Sequence, residues 1–304
     1  MKCKICNHET KSILDLGETP LANRLLNNKD EECEKFRLDL HCCIQCRNLQ
    51  LSEFVSADVL YKNYLYVTPD SSTLETHYDF LIDYLLSKNT LDKDKSVVEI
   101  GCNAGQFLEK LNDVCGSAIG VDPAENIVQA ARDRGLNIVN DFFNISVASN
   151  IKKEFGPADA VIARHCFAHN EFPHDMVKAA SELLSGEGAI VIENAYVLNT
   201  VLNTEFDQVY HEHMYYYSIA SLNALFDQYG FEIVDATIGS VHGGSIIAIA
   251  RRKGVSERSK NLLIFEELEA IQLSDECLES FSKRCFKNIE NIQRLLTKIH
   301  TSGK

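Results

Sequence analysis

Between residues 96 and 250 short apolar runs recur, each bounded by glycine or polar residues. They are Ser96-Val97-Val98-Glu99-Ile100, the run ending Ile119-Gly120-Val121, a short one near Ile138, and Ala158-Asp159-Ala160-Val161-Ile162-Ala163. Gly188-Ala189-Ile190-Val191-Ile192-Glu193, Phe231-Glu232-Ile233-Val234-Asp235-Ala236 and Ser245-Ile246-Ile247-Ala248-Ile249-Ala250 follow. Runs of this length and composition read as strands buried on both faces. Helical stretches separate some of them, from near His174 to Leu184 and from Ser218 to Tyr229. The alternation predicts an α/β fold: a seven-stranded, doubly wound sheet closing on an antiparallel pair. Upstream, Leu74, Tyr78, Leu81, Ile82 and Leu85 recur at helical spacing, which predicts a helix from about Thr73 to Leu86 capped by Ser71 or Ser72. From Val255 onward Leu263, Leu268, Ile271, Phe281, Phe286, Ile289, Ile292, Leu296 and Ile299 form apolar stripes with no strand signal. A two-helix extension follows, its apolar face docked on the core or on another chain.

The first 55 residues break this pattern. Six of the eleven cysteines lie within the first 46 residues. Cys3-x-x-Cys6 and Cys43-x-x-Cys46 are two knuckle-like pairs, the arrangement that offers zinc four thiolates from separate turns. Four thiolates fill the coordination sphere, so the expected ion is structural. Cys33 and Cys42 are left over, and Pro20-Leu21-Ala22-Asn23-Arg24-Leu25 is expected to pack this module on its neighbour. The chain thus divides into a zinc module (1–55), an aromatic linker and helix (56–90), a nucleotide-binding sheet domain (91–254) and a helical extension (255–304).

Composition narrows the partners. A net charge of −14 argues against a polyanion-binding surface. No apolar run is long enough to span a bilayer, and Met1-Lys2-Cys3-Lys4 opens no signal peptide, so a cytoplasmic protein with neither nucleic-acid nor membrane partners is expected.

Candidate chemistry collects at the carboxyl ends of the expected strands. Gly101 and Gly105 follow the first strand, and Asp122 ends the second, where a carboxylate can accept both ribose hydroxyls. A dinucleotide fingerprint would need glycine at 103 and 106, which are Asn103 and Gln106. The fourth strand ends in Ala163, Arg164 and His165, followed by His169, and His242 stands at a Gly-Gly turn. The densest stretch is Tyr210-His211-Glu212-His213-Met214-Tyr215-Tyr216-Tyr217, ionisable enough to handle protons. Tyr61, Tyr64 and Tyr66 of the linker serve either packing or substrate.

The spacing Glu99-x-Gly101-x-x-x-Gly105 with Asp122 resembles motif I and the acidic loop of class I S-adenosylmethionine-dependent methyltransferases. The resemblance implies that Gly101 and Gly105 line the methionine portion and that Asp122 holds the ribose. Asp141, Phe142 and Phe143 then flank the adenine, with Glu99, Asn103, Pro123, Ala163, Arg164 and His165 in the same cofactor-binding set. The order of the paired C-x-x-C, Ala163-Arg164-His165 through His169, Thr204-Glu205-Phe206-Asp207-Gln208-Val209-Tyr210-His211-Glu212-His213 and Val241-His242-Gly243-Gly244-Ser245 resembles the nucleotide-sugar C-methyltransferase family over nearly the whole chain. It implies a structural zinc domain and an acid–base set of Tyr210, Glu212, His213 and Tyr66. His213 is the expected base for an α-proton, oriented by Glu212. Tyr66 or Tyr210 donates to the enolate oxygen, and His169 and His242 bind substrate. Family members continue past a Gly-Lys like Gly303-Lys304 into a second α/β domain. Its absence here implies truncation, a separate C-terminal-domain polypeptide or a different substrate, and the C-terminal helices could also build a homo-oligomer. The alternatives to C-methylation are O- or N-methylation of another small molecule, or a non-catalytic S-adenosylmethionine-binding protein.

Overall fold

The computed structural model describes the chain except residues 23, 27, 29, 57, 58, 61–66, 70 and 304. Two sheets organise it. In the smaller, β1 (Thr10–Thr19), β2 (Phe36–Cys43) and β3 (Leu49–Leu51) form an antiparallel meander. Its fourth strand, β9 (Tyr215–Tyr216), comes from the far half of the chain, pairing Tyr216 with Leu49 and Tyr215 with Gln50. The larger sheet contains β4 (Ser96–Ile100), β5 (Ser117–Val121), β6 (Ile138–Val139), β7 (Ala158–Arg164), β8 (Leu184–Ala195), β10 (Phe231–Gly239) and β11 (Ser245–Arg252). Its order is β10-β11-β8-β7-β4-β5-β6. β11 inserts between β8 and β10 and runs antiparallel to both. The expected seven strands and antiparallel pair are all present.

Because side chains alternate across a strand, neighbouring residues face opposite cores. Val97, Ile162, Val191 and Ile249 pack with α1 (Ser72–Ser87), α2 (Gln106–Val114) and α3 (Glu125–Asp133). Val98, Val161, Ile190 and Ala248 face α4 (Ile145–Phe155), α5 (Pro173–Leu183) and α7 (Ile219–Phe226), in a core continuous with Leu40, Leu49 and Leu51 of the small sheet. α6 (Val197–Asn203) follows β8 directly. Ser71 caps α1 as expected, accepting from the Leu74 N–H at 3.2 Å.

The two C-terminal helices are α8 (Lys260–Gln272) and α9 (Asp275–Thr301). Glu269 of α8 is buried and accepts from the N–H groups of Ile219 and Ala220 and from the Tyr196 hydroxyl, so it caps α7 from another part of the chain. Leu278, Phe281 and Cys285 dock the first half of α9, whereas Ile292, Leu296 and Ile299 stay exposed.

In the loop expected to pack this module on its neighbour, Leu21 is half-buried and Leu25 is 80% exposed, while residue 23 lies outside the described residues. The zinc module docks through the shared apolar core, through β9 and through polar contacts. Arg47 reaches the Leu273 carbonyl and Asp275, His174 lies 3.0 Å from the Lys4 and Ile5 carbonyls, and Gln228 donates to Ile5.

Candidate functional site

The four predicted thiols converge. Ligand sulfurs of Cys3, Cys6, Cys43 and Cys46 all lie within 4.8 Å of one another, with Cys3–Cys46 at 3.7 Å and Cys6–Cys43 at 3.4 Å. A tetrahedral ion with metal–sulfur bonds of about 2.3 Å needs sulfurs roughly 3.8 Å apart. The two pairs sit in matching turns: the Cys3 N–H donates to His8 and the Cys43 N–H to Asn48, and Asn7 and Arg47 each take the left-handed conformation after the second cysteine. Zinc fits this donor set, and no open position is left for chemistry.

At the carboxyl edge of the large sheet Gly101 (φ 69°) and Gly105 (φ 81°) occupy left-handed conformations, and a Cβ on Gly101 would stand 2.8 Å from that of Cys166. Asp122 directly follows β5; one carboxylate oxygen accepts from the Asn103 N–H and the other from the Ala124 N–H, both at 2.9 Å. These bonds fix the carboxylate while leaving each oxygen a second lone pair for a diol. Asn103 is itself left-handed (φ 49°), and its side-chain Oδ1 accepts from the Thr68 N–H at 3.0 Å while the Gln106 side chain donates to the Thr68 carbonyl at 2.9 Å. The two residues that replace fingerprint glycines therefore clamp the linker. Asp141 closes a turn on the Phe142 N–H; Phe142 is 58% exposed beside buried Phe143, and Pro123 is exposed.

Behind this edge lies a buried ionic network. Arg164 donates to Glu99 at 3.1 Å and to Glu193 at 3.2 Å, and its guanidinium lies 4.5 and 4.3 Å from the ring centres of Tyr78 and Phe107. His77 of α1 meets Glu193 Oε1 at 2.5 Å. Burial pushes the Glu99 carboxyl up to about 7 despite Arg164. Glu193 is held well below the ordinary range because His165, His77 and Arg164 outweigh its burial. Glu99 Oε2 and His165 Nε2 are buried polar atoms without a hydrogen bond among the described residues, the sort of group a cationic, hydroxyl-bearing ligand would engage. Ala163, by contrast, is buried within the ladder.

Two imidazole pairs complete the rim. The rings of His165 and His242 are 4.3 Å apart, those of His169 and His213 5.0 Å. The Met214 main chain brings His213 there: its N–H donates to Ala168 on the rim, and its carbonyl accepts from Leu51 of the zinc module. A carbonyl only accepts, so His213 Nδ1 carries the proton it gives Gln208 O at 3.0 Å. Nε2 is then the unprotonated nitrogen and accepts from the Tyr210 hydroxyl at 2.9 Å. Burial, reinforced by His169, lowers His213 to about 3, and burial with His165 lowers His169 and His242 to about 4. All three are neutral at pH 7.

Tyr210 and His169 lie against His213, and His165 lies against His242, while Tyr66 lies outside the described residues. The bond orienting His213 comes from the Gln208 carbonyl; Glu212, expected in that role, is half-buried in the same segment. His211 is buried, with Nε2 3.2 Å from the Phe36 carbonyl of β2, and Tyr215 to Tyr217 are core. Sequence reasoning missed Gln208, which carries no motif signal in its side chain, and His77, whose signal was a histidine on the buried face of an amphipathic helix.

Two family models match the chain. Residues 73–236 match the family described as "Methyltransferase domain", and residues 3–61 the family described as "Putative zinc binding domain". A C-methyltransferase from Streptomyces niveus, NovU, is 34% identical over 252 residues, covering 82% of this chain and 60% of that protein. The chain thus spans about three fifths of that relative's length. Among solved structures, magnesium protoporphyrin IX methyltransferase from Synechocystis PCC 6803 with bound SAH shares 17% identity at a TM-score of 0.47, covering 64% of this chain and 94% of that one. N-methyltransferase NodS from Bradyrhizobium japonicum WM9 shares 15% identity at 0.44, covering 60% and 98%.

Proposed function

The chain belongs to the methyltransferase-domain family, and from that membership we propose that it is an S-adenosylmethionine-dependent C-methyltransferase acting on a keto nucleotide-deoxysugar. The observation that carries the reading is His213: a neutral imidazole whose Nε2 lone pair is fixed on the rim by Gln208 on one side and Tyr210 on the other. C-methylation needs removal of an α-proton, and His213 Nε2, unprotonated beside a hydroxyl donor, is placed to accept one. The Streptomyces niveus relative is named a C-methyltransferase, which favours the same chemistry.

Gly101, Gly105 and Asn103 shape the loop for the methionine portion, Asp122 with Pro123 takes the ribose, and Asp141, Phe142 and Phe143 flank the adenine. Glu99, Ala163, Arg164 and His165 form the wall behind them. When bound, S-adenosylmethionine supplies the electrophilic methyl group. His213 Nε2 accepts the α-proton while the Tyr210 hydroxyl turns to the developing enolate oxygen, where a preplaced donor lowers the barrier. Glu212 and Tyr66 belong to the same acid–base set. His169 and His242, kept neutral by burial, hydrogen-bond the sugar. Cys3, Cys6, Cys43 and Cys46 hold zinc that stabilises the module without entering the reaction.

The test is incubation with methyl-labelled S-adenosylmethionine and 4-keto nucleotide sugars in deuterated water. The expected result is label on carbon and His213-dependent deuterium exchange at the α-carbon. Label on oxygen or nitrogen without exchange overturns the C-methylation, and cofactor binding with no transfer to any acceptor overturns catalysis.

A further inference from the structure

His77 has no part in the chemistry above, yet it is the closest partner of Glu193. Its ring is 2% exposed, Glu193 is fully buried, and Nε2 lies 2.5 Å from Oε1. His77 Nδ1 is buried without a hydrogen bond among the described residues. A carboxylate only accepts, so His77 Nε2 carries the proton it donates to Glu193.

The chain makes room for this pair. A Cβ on Gly239 of β10 would stand 2.6 Å from His77 Cε1 and 3.4 Å from Glu193 Oε1. Gly239 has no left-handed φ, so the close approach is what calls for glycine.

Glu193 in turn holds His165 at two points. Its backbone carbonyl accepts from the His165 N–H at 2.7 Å, and its Oε1 stands 3.5 Å from His165 Nε2. His165 is left-handed (φ 49°), a conformation that costs a non-glycine residue energy and persists where its surroundings over-determine it. The other carboxylate oxygen is taken by Arg164, which Glu99 and two aromatic rings hold independently. Loss of the His77 donor frees Oε1, and the displacement falls on His165 more than on Arg164.

We propose that His77 is a positioning residue: through Glu193 it fixes the carboxylate oxygen facing His165, so that His165 is held in one orientation in the wall of the cofactor site, beside His242. The kinetic consequence rests on the methyl-transfer reading; the effect on the His165 ring does not.

Two variants test this in the full chain. His77→Met keeps the volume and removes the donor, whereas His77→Gln retains an N–H donor. Histidine-labelled protein reports the His165 ring by NMR, with His165→Asn assigning its signals. In His77→Met, kcat/KM for S-adenosylmethionine is expected to fall at least about tenfold with zinc content unchanged, and the His165 signals shift. His77→Gln is expected to return both toward wild type. If methionine prevents folding, Glu193→Gln is read for the same shift. Unmoved His165 signals in the folded donor-free variant, or equal impairment in His77→Met and His77→Gln, overturn the proposal. If wild-type protein transfers no methyl group to any keto nucleotide sugar, the functional reading fails, and the His165 signals alone decide the role of His77.

Discussion

Four cysteines and four histidines make two clusters by opposite routes. Cys3, Cys6, Cys43 and Cys46 arrive as two local turns, each pair three residues apart, and the two turns repeat the same hydrogen bonds. His165, His169, His213 and His242 arrive from three separated segments, and neither pair is joined by a local repeat. The cysteine cluster needs only two turns to meet. The histidine cluster needs the sheet, the rim after β7, the Gly-Gly turn and β9 all in place. Yet the two are coupled, because Met214 is bonded to the zinc module through Leu51 and to the rim through Ala168. The fold of the cysteine module therefore helps set the register of the His213 segment.

The strongest challenge to that comparison is Cys43→Ser. It should release zinc, as measured by metal content, and disorder the small sheet. Because β9 and His211 lose their partners, methyl transfer should fall below that of any histidine variant. A zinc-free protein with full activity would uncouple the clusters.

His213→Ala should act on the second cluster alone. We expect kcat to drop on the order of 10²–10⁴-fold, with zinc content and cofactor binding unchanged. An intact rate of α-proton exchange would remove His213 as the base.

Asp122→Ala should weaken S-adenosylmethionine binding by about 10- to 100-fold, the cost of losing charge-assisted hydrogen bonds. Calorimetric titration measures it, and neither cluster should change.

The smallest effect separates the clusters by pH. Burial holds His213 near 3 and His169 and His242 near 4, against 6.5 for an unperturbed imidazole. Between those values the unfolded chain binds more protons than the fold, so this stabilisation is complete above about 6.5 and is lost as the pH falls toward 4. Urea midpoints between pH 7 and 5 should decline less in a His169→Gln/His242→Gln variant than in the wild type. Parallel declines would place the acid sensitivity elsewhere.

Much of this was legible in the residues because the signals were local. C-x-x-C spacing reports a turn, the apolar runs from Val97 to Ala250 report strands buried on both faces, and Gly101, Gly105 and Asp122 lie at strand ends whose rim position follows from the alternation itself. Even the Asn103 and Gln106 departures from the dinucleotide fingerprint could be read, though not their use as a clamp on Thr68.

What only the tertiary structure decided are pairings across sequence distance. Tyr215 and Tyr216 carry β propensity, but nothing in them names Leu49 and Gln50 as partners. The choice of Gln208 rather than Glu212 to hold His213 Nδ1 depends on where a main-chain carbonyl falls, and a carbonyl belongs to every residue alike. Glu269 capping α7 and His77 meeting Glu193 are likewise contacts between buried polar groups on separate elements. Periodicity tells which face of a helix is buried; which polar group waits there is fixed only when the layers pack and each buried donor must find an acceptor.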